Sequence, residues 1–172
     1  MQTKITQLVL VMLLGFFGAN AQISDRKAEK EKKRVGREKE IAALVESKSF
    51  VFKGDRAIPT GYKSMDLTTN PNFVKFSPDL IVSEMPFFGR AYSVSYGGSD
   101  AGLKFKGKPE IYTIERKKKN YEVEAKIKGT GDSYTINLYI SFEGSSTMSI
   151  SSNNKTSISY NGKISALEKP QE

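Results

Sequence analysis

The chain contains no cysteine and no histidine. Without cysteine there is no disulfide framework, no thiolate metal site and no cysteine nucleophile. Without histidine the commonest general base is gone, and with it the Ser-His-Asp arrangement and nearly every zinc site. An enzyme built on this sequence would have carboxylates, Lys, Tyr or Ser alone, so no enzymatic activity, catalytic residue, metal site or cofactor is expected. Long apolar runs are also missing. The run from Ile5 to Phe17 is shorter than the ~20 residues a membrane span needs, so no transmembrane segment is expected in the mature chain.

The charge is not of one sign. Lys and Arg number 27 against 19 Asp and Glu, but the surplus is spread along the chain and forms no single basic patch. The stretch from Asp25 to Lys48 mixes both signs, and no aromatic is interleaved with a basic stripe, so nucleic acid is not an expected partner. At 172 residues the chain fits one domain able to bury a core without staples.

What is present is alternation. Tyr121 to Lys128 and Ser133 to Phe142 face each other across Gly129-Thr130-Gly131. Successive strand side chains point to opposite faces, so Tyr121, Val123, Ala125 and Ile127 share one face, as do Tyr134, Ile136, Leu138, Ile140 and Phe142. The turn pairs Ile127 with Tyr134, Ala125 with Ile136, Val123 with Leu138 and Tyr121 with Ile140. A slip of one residue would set one strand's apolar row against the other's charged row.

Residues 1–21 read as a signal peptide, with Lys4, the apolar run and the small-x-small site Ala19-Asn20-Ala21. Cleavage after Ala21 would send the product to the periplasm or outside the cell. Residues 22–48 read as a charged helix, solvated before Gly36 and docked after it through Ile41, Ala42, Leu44 and Val45. Residues 49–172 read as an antiparallel β domain. Within it, Ser49 to Lys53 is a strand and Gly54-Asp55 a turn. Tyr62 to Leu67, Phe73 to Phe76 and Asp79 to Glu84 are strands, the last carrying Leu80 and Val82. Strand and turn alternate every 8–12 residues or so, the pattern of a sandwich or barrel.

Met85 to Gly98 is the most distinctive segment. Tyr92, Val94 and Tyr96 alternate with Ser93 and Ser95 as in a strand. Phe87, Phe88, Tyr92 and Tyr96 lie among Pro86, Gly89 and Gly97-Gly98, where they could line a pocket mouth or a sugar-stacking platform, or form core at a barrel corner. Gly97 to Gly102 lacks the Lys-Ser/Thr ending of a phosphate loop and reads as a hairpin loop. A turn on Lys118-Lys119 sets Ile114 against Val123 and Tyr112 against Ala125, with Arg116-Lys-Lys-Lys119 at the tip. A Ser-rich strand runs through Met148 and Ile150. A final hairpin is expected on Tyr160-Asn161-Gly162, setting Ile158 opposite Ile164. The outward face of these last strands is Ser, Thr and Asn, a polar surface on which no pocket is expected.

Ala43 to Phe52, Leu80 to Tyr92, Tyr96-Gly-Gly98 and Leu103 to Gly107 together resemble a family of secreted gut-bacterial proteins, domain-of-unknown-function family 4251. The resemblance implies a mainly β fold, an antiparallel meander closing into a lipocalin-like barrel with an N-terminal charged α-helix. It attaches no activity, so no functional residues carry over. The expected function is that of an exported non-catalytic domain binding a small apolar or sugar-like ligand through Phe87, Phe88, Tyr92 and Tyr96. The alternative is a structural or interaction protein of the cell envelope that docks through its N-terminal helix. Oligomeric state is left open.

Overall fold

The computed structural model describes residues 26–92, 102–129 and 131–167. The expected signal peptide, the strand residues 93–96 and most of the Gly97 to Gly102 loop lie outside them. The chain divides into two units, Met1–Arg37 and Glu38–Glu172. A helix, α1, covers residues 26–46. In the first unit residues 26–36 are exposed throughout, and Glu29–Lys33 (2.7 Å) and Glu31–Arg34 (2.6 Å) pair along the helix surface. In the second unit Ile41 and Val45, four residues apart, are fully buried. The helix ends at Lys48, whose φ of 55° is a left-handed terminating turn.

Ten strands follow among the described residues: β1 Phe50–Pro59, β2 Met65–Asp66, β3 Phe73–Phe76, β4 Ile81–Met85, β5 Leu103–Gly107, β6 Pro109–Arg116, β7 Asn120–Lys128, β8 Ser133–Ser141, β9 Ser145–Ser152 and β10 Ile158–Ser165. Their order in the sheet is β5-β4-β3-β1-β10-β9-β8-β7-β6, with β2 on β1. Every pairing is antiparallel. Because β1 bonds to both β3 and β10, first and last strands are joined, and the second unit is a nearly closed barrel whose gap lies between β5 and β6. Side chains approach across the gap, where Phe105 of β5 stacks on Tyr134 of β8 with ring centroids 4.1 Å apart.

The central hairpin has the register its alternation requires, Ile127↔Tyr134, Ala125↔Ile136, Val123↔Leu138 and Tyr121↔Ile140. Ile114↔Val123 and Tyr112↔Ala125 follow on β6 and β7. Four details differ from expectation. Gly54-Asp55 is not a turn, since β1 runs through it with a bulge between Gly54 and Arg56. The Asn72 side chain holds that bulge by accepting from Gly54 N (2.6 Å) and donating to Gly54 O (3.0 Å). Between Tyr62 and Leu67 only Met65–Asp66 is strand.

In β4 the buried face carries Ile81, Ser83 and Met85, while Leu80 is exposed and Val82 half-buried. The buried Ser83 hydroxyl donates to Leu103 O (2.8 Å), so a polar residue occupies a core position and disguises the period. There is also no hairpin at Tyr160-Asn161-Gly162. β10 is continuous and lies between β1 and β9, pairing Ile158 with both Pro59 and Ile150. Gly162 serves a close approach of strands, since a Cβ there would run into the backbone carbonyl of Lys53.

The barrel interior is filled with side chains. Tyr160, Phe50, Phe52, Phe76, Ile81, Met85, Leu103, Ile127, Ile136 and Leu138 are among the largest that are fully buried. Each such side chain stabilises the fold by about 1.5–3 kcal/mol. Phe50 stacks on Phe76 at 4.9 Å, and the Tyr160 hydroxyl donates to Pro86 O at 2.7 Å.

Gly162→Ala is expected to destabilise the domain by about 1–3 kcal/mol, the cost of overpacking where backbone cannot yield. Gly36→Ala, with open space around it, should instead stabilise by about 0.5–1 kcal/mol. Urea unfolding of both variants checks this pair. Burial raises the Tyr160 pKa above its ordinary value of 10.0. A group whose pKa is raised by folding contributes stability that is complete below its unfolded value and is lost as pH climbs past it. Stability should therefore fall above about pH 10. Tyr160→Phe should lose about 1 kcal/mol at neutral pH and show a shallower alkaline fall in thermal melts, with the half-buried Tyr112 and Tyr134 accounting for the remainder.

Candidate functional site

The expected aromatic cluster divides between environments. β4 ends at Met85 and delivers Pro86, Phe87 and Phe88 to a barrel rim, where both phenylalanines are half-buried against the core. The segment is stitched down. Tyr160 holds the Pro86 carbonyl, Ala91 bridges Lys155, Tyr92 N donates to Asn154 O (2.7 Å) and Thr156 N to Arg90 O (3.0 Å). Lys155 lies 5.3 Å from the Phe87 ring centroid and donates to Gly102 O at 2.6 Å, so its ammonium is both stacked and hydrogen-bonded.

The neighbouring turn is fixed too. The Asp132 carboxylate accepts from Ser152 Oγ (2.8 Å), Asn153 N (3.1 Å) and Ser133 N (2.8 Å), while Asn154 Nδ2 donates to Gly131 O (3.0 Å). Tyr92, by contrast, is 72% exposed, and Tyr96 lies outside the described residues. Phe87 and Phe88 thus share a rim as half-buried rings, and Tyr92 stands in solvent.

The basic cluster at the β6–β7 tip is partly consumed locally. Arg116 lies over the Phe142 ring (5.3 Å), and Lys117 pairs with Glu115. That hydrogen bond, then the lysine's charge, lowers the Glu115 pKa and keeps it ionised. Glu115 faces Glu122 directly across β6 and β7, and Glu124 pairs with Lys126 at 3.4 Å. Carboxylate pairs that cleave glycosides need one member with a raised pKa as general acid. Glu115 is shifted the opposite way. Among the described residues no group of three or more His, Cys, Asp or Glu is placed to hold a metal ion, and no helix is long and apolar enough to cross a membrane.

The polar outer face of β8 to β10, expected to be without pockets, contains a hollow of about 500 Å³ lined by Asp55, Asn120, Tyr139, Ser141, Ser145, Ser146, Thr147, Asn161, Gly162 and Lys163. Ser145 is exposed among the larger Tyr139, Asn161 and Lys163, while Ser146 and Gly162 are themselves buried. A second hollow of about 140 Å³ is lined by Thr113, Glu115, Glu122, Val123, Glu124, Asn137 and Leu138, with Tyr139 again in its wall. Tyr139, 48% exposed, therefore stands between two concave surfaces. In the sequence it is one more outward position of an alternating strand, and its depth relative to its neighbours is set by four other strands.

Among solved structures, the chain is similar to a DUF4251 family protein from Bacteroides eggerthii DSM 20697. The TM-score is 0.59 at 19% identity, covering 76% of this chain and 87% of that one. At that identity the likeness shows the fold, a barrel of the same kind. No curated protein matches. The family described as Domain of unknown function (DUF4251) matches residues 29–164, from the first turn of α1 to the penultimate residue of β10. A match over that much of the sequence, joined to the shared barrel, means that the chain belongs to the DUF4251 family.

Proposed function

We propose that the protein is an exported, non-catalytic binding domain whose barrel is a filled scaffold and whose ligand is polar and met on the outside. The observation that carries this reading is the contrast between the two sides of the sheet. Inward positions are occupied by large, fully buried side chains, whereas the hollows around Tyr139 open on the outer face, the smaller combining carboxylate, hydroxyl and amide groups with Val123 and Leu138, and the larger combining hydroxyl, amide, carboxylate and ammonium groups with apolar surface. Sites for apolar ligands are enclosed and mostly apolar. Sugar-like molecules, which present hydroxyls and one less polar ring face, suit the outer surface better.

The alternative role, docking to an envelope partner through the N-terminal helix, ranks second. The apolar stripe such docking would use is taken up by the chain's own core at Ile41 and Val45. Export rests on the sequence from Met1 to Ala21.

A fatty-acid fluorophore titrated with the purified protein is expected to show no saturable rise in emission. A saturable rise that unlabelled fatty acid reverses would reveal an internal site and sink the outer-surface reading. For export, the full chain expressed in a Gram-negative host should appear in the periplasmic fraction with a mass beginning at Gln22. Retention of the uncleaved chain in the cytoplasm would count against it.

A further inference from the structure

The geometry points to a binding site for a neutral polysaccharide chain on the outer face of the barrel, with Tyr139 as the ring on which one sugar unit stacks. This inference rests on the reading of the protein as a surface-binding domain and specifies where it binds and what.

Three observations converge on Tyr139. First, it is a wall of both hollows, so a ligand filling one and continuing into the other must cross its ring. It is also 48% exposed, although Glu122 and Thr147 sit directly opposite on β7 and β9. An aromatic ring standing free on a polar sheet offers an apolar surface to the C–H face of a pyranose.

Second, the larger hollow is lined by residues of five consecutive strands, from Asn120 on β7 to Asp55 on β1. Four interstrand spacings give about 19 Å, the reach of a short oligosaccharide and too long for a single sugar.

Third, hydrogen-bonding capacity remains along that path. Thr147 Oγ1 donates to Asn161 Oδ1 (3.1 Å), which leaves the Asn161 amide N–H groups as donors at the hollow. Ser141 also lines the hollow, two residues along β8 from Tyr139.

Charge decides the class of polymer. The larger hollow has one carboxylate, Asp55, and one ammonium, Lys163. The smaller one has Glu115, Glu122 and Glu124, of which Glu115 pairs with Lys117 and Glu124 with Lys126. An anionic chain such as nucleic acid or a polyuronate would gain no net attraction from these balanced pairs and would meet Glu122 directly opposite Tyr139. A neutral chain would meet them as hydrogen-bond acceptors for its own hydroxyls.

The test is affinity electrophoresis of the full chain through gels containing dextran, laminarin or galactomannan as neutral polymers, and polygalacturonate as the anionic one. At least one neutral polymer should retard the wild type, with retardation unchanged by added salt. Tyr139→Ala should lose about tenfold in affinity, Asn161→Ala and Ser141→Ala less, and Tyr139→Phe should retain most of it. Circular dichroism melts accompany each variant. Should Tyr139→Ala fail to fold, Asn161→Ala and Tyr139→Phe carry the reading.

No retardation by any neutral polymer, or retardation by polygalacturonate alone, overturns the ligand class while leaving an outer-surface site for another polar molecule. Retardation that Tyr139→Ala and Asn161→Ala leave intact but Tyr92→Ala removes overturns the location. Fluorophore uptake into the interior, by contrast, would remove the surface-binding reading itself.

Discussion

The pairing of β1 with β10 is the constraint on which the rest of the molecule depends. Eight residue pairs, from Val51↔Ser165 to Pro59↔Ile158, join the beginning of the β domain to its end. Without them two separate ribbons, β1 to β5 and β6 to β10, would each expose an apolar face. The junction is close, and its geometry asks for two special positions. Gly162 has no Cβ to meet the Lys53 carbonyl, and the bulge at Gly54 lets β1 bend while Asn72 satisfies the backbone groups that the bend releases. An extended β1 also reaches β2, β3 and β10 together, which a strand ending at Gly54 could not.

Closure turns one face of every strand inward, and among the described residues large side chains such as Tyr160, Phe50 and Phe52 occupy the inside. Phe50, Phe76 and Tyr112 form a row of rings, Phe105 and Tyr134 meet across the gap between β5 and β6, and Ile41 and Val45 of the helix join the same core. On the outside, a twisted sheet presents tall and short residues side by side. The Tyr139 hollows lie on this outer face.

How much of this was legible beforehand differs by element. The β6-β7-β8 registers could be read residue by residue, because Tyr121 to Phe142 alternates without interruption and a one-residue slip would place charges in the core. β4 was misread by one position because Ser83 is buried and Leu80 is not. A hydroxyl bonded to Leu103 O, a residue twenty positions away, made the polar side the inner one. Asn161-Gly162 carries the same dipeptide whether the chain turns or another strand passes close by, and only the neighbour distinguishes the two. Phe87 and Phe88 were recognisable as a notable pair, but their half-buried place on the rim depends on Tyr160 and Lys155, far along the chain.

The sequence by itself determined the alternation of wet and dry faces, the docking half of the helix and the exclusion of cysteine and histidine chemistry, since each of these is a property of nearest neighbours or of composition. Tertiary structure alone decided which strands flank β1, which glycine permits contact and which outward side chain stands beside a hollow. Those outcomes depend on distances between segments a hundred residues apart, and no local pattern encodes such a distance.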